Sequence, residues 1–393
     1  MKKLGCLLVL LLMLGLVTPL SATADDTVAV PLTGEYINVY NWGQYIADGS
    51  DGSIDLNAEF TRRTGIKVNY STYESNEAMY TRLKNGGSSY DVIIPSDYMI
   101  GRLIAEDMLL PLDFNNIPNY QYVDEEFKNR SYDPENRYSV PYTWGTVGII
   151  YNTKYVTKPV DSWSILWDQD YAGKILMFGN PRDAFGIAQL LLGIDVNTAD
   201  KDQLQQAAEK LKEQRSVVQQ YVMDQSFSQM EQEESWIVPY YAGDFLTMQA
   251  NNDNLAFAFP KEGFNLFIDA MCIPASAQNK KAAEMYINFM CDPETSAMNM
   301  EFLGYSTPLS EAKQYMSAEL VESEIAYPSA EILARGRTFE TLPDETIRYM
   351  DELWSTTVRA GEGVSLVVYV LIAVGIGALA VFLFIRKKKR NNY

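Results

Sequence analysis

Six short stretches carry an aromatic ring or a carboxylate at places where a strand should give way to a loop. They are Asn41-Trp42-Gly43-Gln44-Tyr45, Pro95-Ser96-Asp97-Tyr98, Gly179-Asn180-Pro181-Arg182-Asp183, Tyr240-Tyr241-Ala242-Gly243-Asp244, Phe267-Ile268-Asp269 and Gly304-Tyr305. Rings stack on methylene chains and, through their π faces, on ammonium groups; carboxylates form charge-assisted bonds to N–H donors. A cleft lined by both suits a slender organic cation. Taken singly, each residue also has a structural use: Trp42 as a core ring, Asp183 as a helix cap, Asp269 as a surface charge. Their shared placement is what points to a site.

Other chemistries are thinly supported. The chain has no histidine, which removes the commonest general base, the commonest transition-metal ligand and the neutral-pH switch together. No catalytic serine, cysteine or paired-carboxylate device is legible, and no metal or cofactor site. Of three cysteines, Cys6 lies in an apolar N-terminal stretch, while Cys272 and Cys291 sit in apolar surroundings that favour two buried thiols over a disulfide. The net charge is −19, and seven of the 32 Lys and Arg lie at the two ends, so the middle is more acidic still. Such a field repels nucleic acid and attracts cations, although it also serves solubility.

The elements that must position these residues alternate. Ile37–Tyr40 reads as a strand, Ile54–Arg63 as an amphipathic helix ended by Gly65, Ile66–Tyr70 as a strand and Asn76–Lys84 as a helix. Val92–Ile94 is a buried strand stopped by Pro95, followed by a helix around Met99–Glu106. This rhythm predicts an α/β fold with a parallel sheet, in which ligands bind outside the carboxyl ends of the strands. A second α/β section from about Trp144 to Phe264 holds the strand Ile175–Phe178, a helix at Lys201–Gln214 and the apolar segment Trp236–Pro239. Further helices are expected at Ala282–Met290 and Glu345–Val358, with Leu342–Thr346 as a turn. Residues 25–363 exceed what one core usually supports, so two lobes are expected.

The ends address the chain to a membrane. Lys2 and Lys3 precede an apolar stretch, and Ala22-Thr23-Ala24 offers a cleavage site, so residues 1–24 read as an export signal and 25–34 as a leader. Residues 364–385 are uncharged and apolar, long enough at ~1.5 Å per residue to cross a bilayer core of about 30 Å. The basic run Arg386–Arg390 behind them predicts a cytoplasmic tail at 386–393, with the bulk of the chain outside on a single-pass anchor in the cell membrane.

Five motifs give the chain a family resemblance: Tyr40-Asn41-Trp42-Gly43-Gln44-Tyr45, Ser71-Thr72-Tyr73-Glu74-Ser75-Asn76-Glu77, Val140-Pro141-Tyr142-Thr143-Trp144-Gly145, Phe259-Pro260-Lys261-Glu262-Gly263 and Gly304-Tyr305-Ser306-Thr307-Pro308. In themselves and in their order they resemble the bacterial extracellular polyamine-binding proteins, the spermidine/putrescine substrate-binding subunits of ABC importers. The resemblance implies a type II periplasmic-binding-protein fold, with lobe one at 35–143 plus 266–313 and lobe two at 144–265 plus 314–359. It also implies ABC permease and ATPase subunits as partners, and a polyamine gripped between the lobes.

By position the resemblance carries over Trp42 and Tyr45 as the first aromatic pair, and Ser96 and Tyr98 as the loop that meets the ligand. Asp183 becomes an amine-binding acid, Tyr241 and Tyr305 become walls, and Phe267 with Asp269 becomes an aromatic-x-Asp pair on a primary ammonium. Departures matter too. Asn180 stands where spermidine-type proteins place a carboxylate, Gln44 where members often have an acid, and Tyr241 and Phe267 replace indoles. Asp244 matches an Asp of putrescine-type members, and Asp97 is expected to turn away as a helix cap. Polyamine length therefore stays open between putrescine and spermidine. A receptor of the same fold for another organic cation, or a sensory or adhesive ectodomain without transport, also remains open.

Overall fold

The computed structural model describes residues 36–86 and 89–359. The export signal, the leader, the 364–385 span and the basic tail lie outside the described residues. Among the described residues no helix is long and apolar enough to cross a membrane.

The strands are β1 (Tyr36–Trp42), β2 (Lys67–Tyr73), β3 (Val92–Ile93), β4 (Ser139–Asn152), β5 (Ile175–Phe178), β6 (Val218–Val222), β7 (Ile237–Tyr241), β8 (Leu255–Ala258), β9 (Phe264–Cys272) and β10 (Gly336–Arg337). The helices used below are α1 (Leu56–Thr64), α2 (Asn76–Lys84), α3 (Asp97–Ala105), α4 (Pro181–Leu192), α5 (Lys201–Gln214), α6 (Gln225–Glu231), α7 (Ala242–Asn251), α8 (Lys280–Met290) and α9 (Pro293–Leu303).

The strand order is β2-β1-β3-β9-β4-β7-β5-β6, with β10 on β9 and β8 on β4. Two parallel groups, β2-β1-β3 and β7-β5-β6, stand at either side. Between them β9 and β4 run antiparallel, β9 against β3 and against the first half of β4. β4 changes partner along its length: Ser139–Thr146 pairs β9, and Val147–Tyr151 pairs β7. A register shift between Pro141 and Thr143 falls in this pair, where Pro141 has no N–H for the ladder.

Local signals explain the helices. Asp55 accepts the Ala58 amide at the start of α1, Ser75 the Ala78 amide of α2, and Asp200 two amides of α5. α3, α7 and α8 bury one face each against the sheets, whereas α4 is buried on all sides from Ala184 to Leu190. Cys272 and Cys291 are both buried free thiols.

Two expectations change. The sheet is mixed rather than parallel: the long apolar β4 and β9 have no 2- or 3.6-residue alternation, because both faces are covered. Residues Asp344–Thr346, expected as a turn, open the last helix, Asp344–Leu353, behind Pro343. Proline at that position loses nothing, since the first helical amides lack partners anyway.

Candidate functional site

A cleft partly open to solvent lies between the two parallel groups. Each strand of these two groups delivers to it. Trp42 closes β1, and Asn76 and Glu77 start α2 after β2. Ser96, Asp97 and Tyr98 follow β3, and Asn180 and Asp183 follow β5. Met223, Asp224 and Phe227 follow β6, and Tyr240, Tyr241 and Asp244 follow β7. From β9, Asn265, Phe267 and Asp269 line it on one face, as a two-residue period requires. Tyr45 and Tyr305 complete the wall.

The rings interlock. Tyr305 stands edge-on to Tyr45 at 5.3 Å and Tyr241 edge-on to Phe267 at 5.4 Å, while the Trp42 indole N–H donates to the Ile94 carbonyl at 2.8 Å. Gly243 lets the Tyr305 ring lie against the start of α7: a Cβ there would meet Cδ2 of the ring at 2.1 Å. Gly43 does the same for Asp224, whose Oδ2 would be 2.2 Å from such a Cβ.

Among the described residues no lysine or arginine lines this cavity, and tyrosine hydroxyls take their place as partners of the carboxylates. Tyr45 donates to Asp269 Oδ2 at 2.6 Å, Tyr241 to Asp183 Oδ2 at 3.0 Å, Tyr98 to Glu77 Oε1 at 2.9 Å and Tyr240 to Asp224 Oδ1 at 3.4 Å. A neutral donor satisfies one oxygen and leaves the negative charge uncancelled. Three buried acceptors on the cavity wall have no hydrogen-bond partner among the described residues: Asp269 Oδ1, Glu77 Oε2 and Asn265 Oδ1. The Ser96 hydroxyl lies near Asp269 but outside bonding geometry to that oxygen. An orphaned buried acceptor is costly, so this surface is built to receive N–H donors.

Crowded, desolvated acids resist ionisation. Burial pushes Asp269 up to about 6, with relief from Tyr45. Burial likewise takes Asp183 to about 6, eased by Asn180 and Tyr241, with Glu77 repelling it. Asp244 rises to about 8 through burial, eased by the Tyr305 hydroxyl, and Asp97 to about 8 through burial. Asp224 is raised for the same first reason. A cation entering the cavity would reverse these shifts.

Eleven of the twelve residues singled out in the sequence line this cavity: Trp42, Tyr45, Ser96, Tyr98, Asn180, Asp183, Tyr241, Asp244, Phe267, Asp269 and Tyr305. Gln44 does not. Its backbone takes the left-handed conformation at φ 48° and its side chain is exposed, because Trp42 and Tyr45 turn inward on either side of a tight bend. Asp97 is a second correction. It does not turn away: it is 1% exposed, lines the cavity and accepts the Tyr98 amide at 2.7 Å and the Ile268 amide at 3.3 Å. Asn180 also serves the local fold. Its Oδ1 caps α4 at the Asp183 amide (2.9 Å), and its Nδ2 donates to Asp183 Oδ2 (2.8 Å).

Glu77, Asp224 and Asn265 were missed. Glu77 and Asp224 both follow the carboxyl end of a parallel strand, so the rule that found the others reaches them once β2 is extended to Tyr73 and β6 is recognised.

A model of the family described as bacterial extracellular solute-binding protein matches residues 55–328. The chain belongs to that family. It is 34% identical over 313 residues to the spermidine/putrescine-binding periplasmic protein of Salmonella typhimurium, covering 79% of this chain and 88% of that one. Among solved structures, an ABC transporter protein from Listeria monocytogenes superposes with a TM-score of 0.78 at 35% identity, covering 82% of this chain and 98% of that one. A spermidine/putrescine ABC transporter substrate-binding protein from Streptococcus pneumoniae does so with a TM-score of 0.69 at 36% identity, over the same shares. The fold is therefore the two-lobed α/β fold of periplasmic binding proteins, and the family is one of solute-binding transport proteins.

Proposed function

We propose that this chain is a polyamine receptor that captures putrescine or spermidine between two lobes and delivers it to the permease and ATPase subunits of an ABC importer. The observation that carries this reading is Asp269: a carboxylate 4% exposed, with one oxygen on Tyr45 and the other without a partner among the described residues, none of whose lysines or arginines lines the ring-walled cavity. A primary ammonium on an aliphatic chain supplies what is missing, N–H donors and positive charge at the acids and methylenes against the rings. Relatives whose names specify spermidine and putrescine support the choice of ligand. A quaternary ammonium has no N–H and would leave the orphaned acceptors unpaired.

The proposed lobes are 35–143 plus 266–313 and 144–265 plus 314–359; in support, β4 changes partner close to the first boundary, between Thr146 and Val147, and β9 changes partner at the second, between Asn265 and Leu266. The Thr341 hydroxyl donates across this division to the Tyr98 carbonyl at 2.9 Å, as expected of lobes drawn together. Export by residues 1–24 and anchoring by 364–385 would hold the receptor outside the cell beside its permease. Titration of the purified chain with putrescine and spermidine tests the binding. Retention of the chain in membranes through alkaline washing tests the anchor, and release into the supernatant would exclude it.

A further inference from the structure

Two of the unpaired acceptors in the cleft belong to one face of one strand. Asp269 Oδ1 and Asn265 Oδ1, both on β9, are buried without a hydrogen bond among the described residues, and both residues line the cleft. Asn265 is 8% exposed. Its cross-strand neighbour on β10, Arg337, gives it nothing: that side chain is exposed and donates to the carbonyls of Gly336 (2.8 Å) and Ala334 (3.4 Å). The backbone, in contrast, is fixed, because β9 pairs with β10 at Asn265 and with β4 from Leu266 onward. An acceptor held in place, buried and unpaired is costly, and a ligand that brings an N–H to it removes the cost.

Strand geometry sets the distance between the two acceptors. At roughly 3.3 Å per residue the Cα atoms of Asn265 and Asp269 are about 13 Å apart, with Phe267 midway at about 7 Å from each. Asp and Asn side chains have the same length and here share a face, so their oxygens keep roughly the spacing of the backbone. Phe267 does not stand as a wall between them. Its ring leans over Gly145, its partner on β4, where a Cβ would meet Cζ at 2.8 Å. The ring therefore floors the passage from Asp269 to Asn265 and offers an apolar surface to methylenes.

We propose that Asn265 is a ligand-positioning residue that reads chain length: with a primary ammonium on Asp269 and methylenes across Phe267, its Oδ1 accepts an N–H from the far end of a linear triamine and lies beyond the reach of a diamine. This rests on the polyamine reading of the same cleft. A bond of ~1.5 Å advances an extended chain by roughly 1.2 Å, so the ends of putrescine lie about 6 Å apart and those of spermidine about 11 Å. With a hydrogen bond of about 2.8 Å at either end, the longer cation spans both acceptors, whereas the shorter one ends over Phe267.

The test is calorimetric titration of the full chain in detergent, wild type, Asn265→Leu and Asn265→Asp, with spermidine and with putrescine, beside thermal unfolding of the ligand-free proteins. Asn265→Leu should lose at least fivefold in spermidine affinity and less than twofold in putrescine affinity. Its ligand-free melting temperature should match or exceed that of wild type, because an unpaired buried acceptor has been removed. Asn265→Asp should move the ratio of the two affinities towards spermidine by threefold or more, since a charge then faces the far ammonium. Equal losses for both ligands, with or without a lowered melting temperature, would show a merely structural role and overturn the proposal. So would an unchanged spermidine affinity in Asn265→Leu, or a wild type that binds putrescine alone. Absence of heat with either polyamine in wild type would instead refute the polyamine reading itself. Should Asn265→Leu fail to fold, the ratio measured with Asn265→Asp decides, and an unchanged ratio would overturn the proposal.

Discussion

Replacing Asp269 by asparagine should weaken binding and strengthen the empty protein at once. Asp269 is 4% exposed, and its carboxyl is pushed from the ordinary aspartate range near 3.9 up to about 6 by burial. A rise of about two pH units corresponds to roughly 3 kcal/mol by which the ionised form destabilises the ligand-free fold. The sign follows from proton binding. Between pH ~4 and ~6 the folded state holds a proton that the unfolded state has lost, so stability falls as pH rises through this window, and the full penalty stands above about pH 6. Asparagine keeps the shape and an oxygen for the Tyr45 hydroxyl, now 2.6 Å away, but carries no charge to desolvate. Asp269→Asn should therefore stabilise the empty chain by about 1–3 kcal/mol at pH 7 and by almost nothing at pH 4. Ligand binding, by contrast, loses a charge-assisted bond in a poorly solvated cleft, at about 2–4 kcal/mol, or roughly 30- to 900-fold in Kd. Chemical denaturation at the two pH values, paired with polyamine titration, reads both effects. A loss of affinity below threefold, or a variant less stable than wild type at pH 7, would refute the placement of this carboxylate at the ligand.

Three further outcomes follow from the same geometry. Polyamine affinity should climb from pH 5.5 to 8, with protons released on binding, because Asp183 and Asp269 at about 6 and Asp97 and Asp244 at about 8 must ionise to meet a cation; calorimetry in buffers of different ionisation enthalpy measures the release, and proton uptake would contradict it. Asn180→Asp should leave the spermidine-to-putrescine ratio within threefold, since the new carboxylate loses its N–H bond to Asp183 and shares a proton with it instead of facing the ligand; a tenfold move towards spermidine would show that position 180 contacts the middle amine. Gly43→Ala should cost tenfold or more in affinity, because its Cβ would lie 2.2 Å from Asp224 Oδ2 and hold the lobes apart; small-angle scattering with saturating ligand should show a larger radius than wild type, and an unchanged radius and affinity would mean that Asp224 moves aside freely.

Local structure was legible wherever local signals governed it. α2, β5 and α5 stand where the pattern placed them, because caps and apolar periodicity act within a few residues. The central strands were not. β4 and β9 are buried on both faces and antiparallel to neighbours far away in the chain, and neither burial nor partner is encoded in a short window. The cavity residues were legible to the extent that they follow parallel strands. Glu77 escaped because β2 was ended three residues early, and Asp224 because the half-exposed β6, Val218–Val222, has too little apolar alternation to read as a strand. Gln44 shows the opposite error: its place beside Trp42 and Tyr45 in sequence says nothing about the positive φ that turns it outward.

The central claim is that an uncancelled row of buried carboxylates, walled by rings, exists to hold a polyamine. Titrating the full chain in detergent at pH 7.5 with spermidine, putrescine and a quaternary amine such as betaine tests it most directly. Micromolar or tighter binding of at least one polyamine, with no measurable binding of the quaternary amine, is the expected result. Tight binding of the quaternary amine with neither polyamine bound would contradict it.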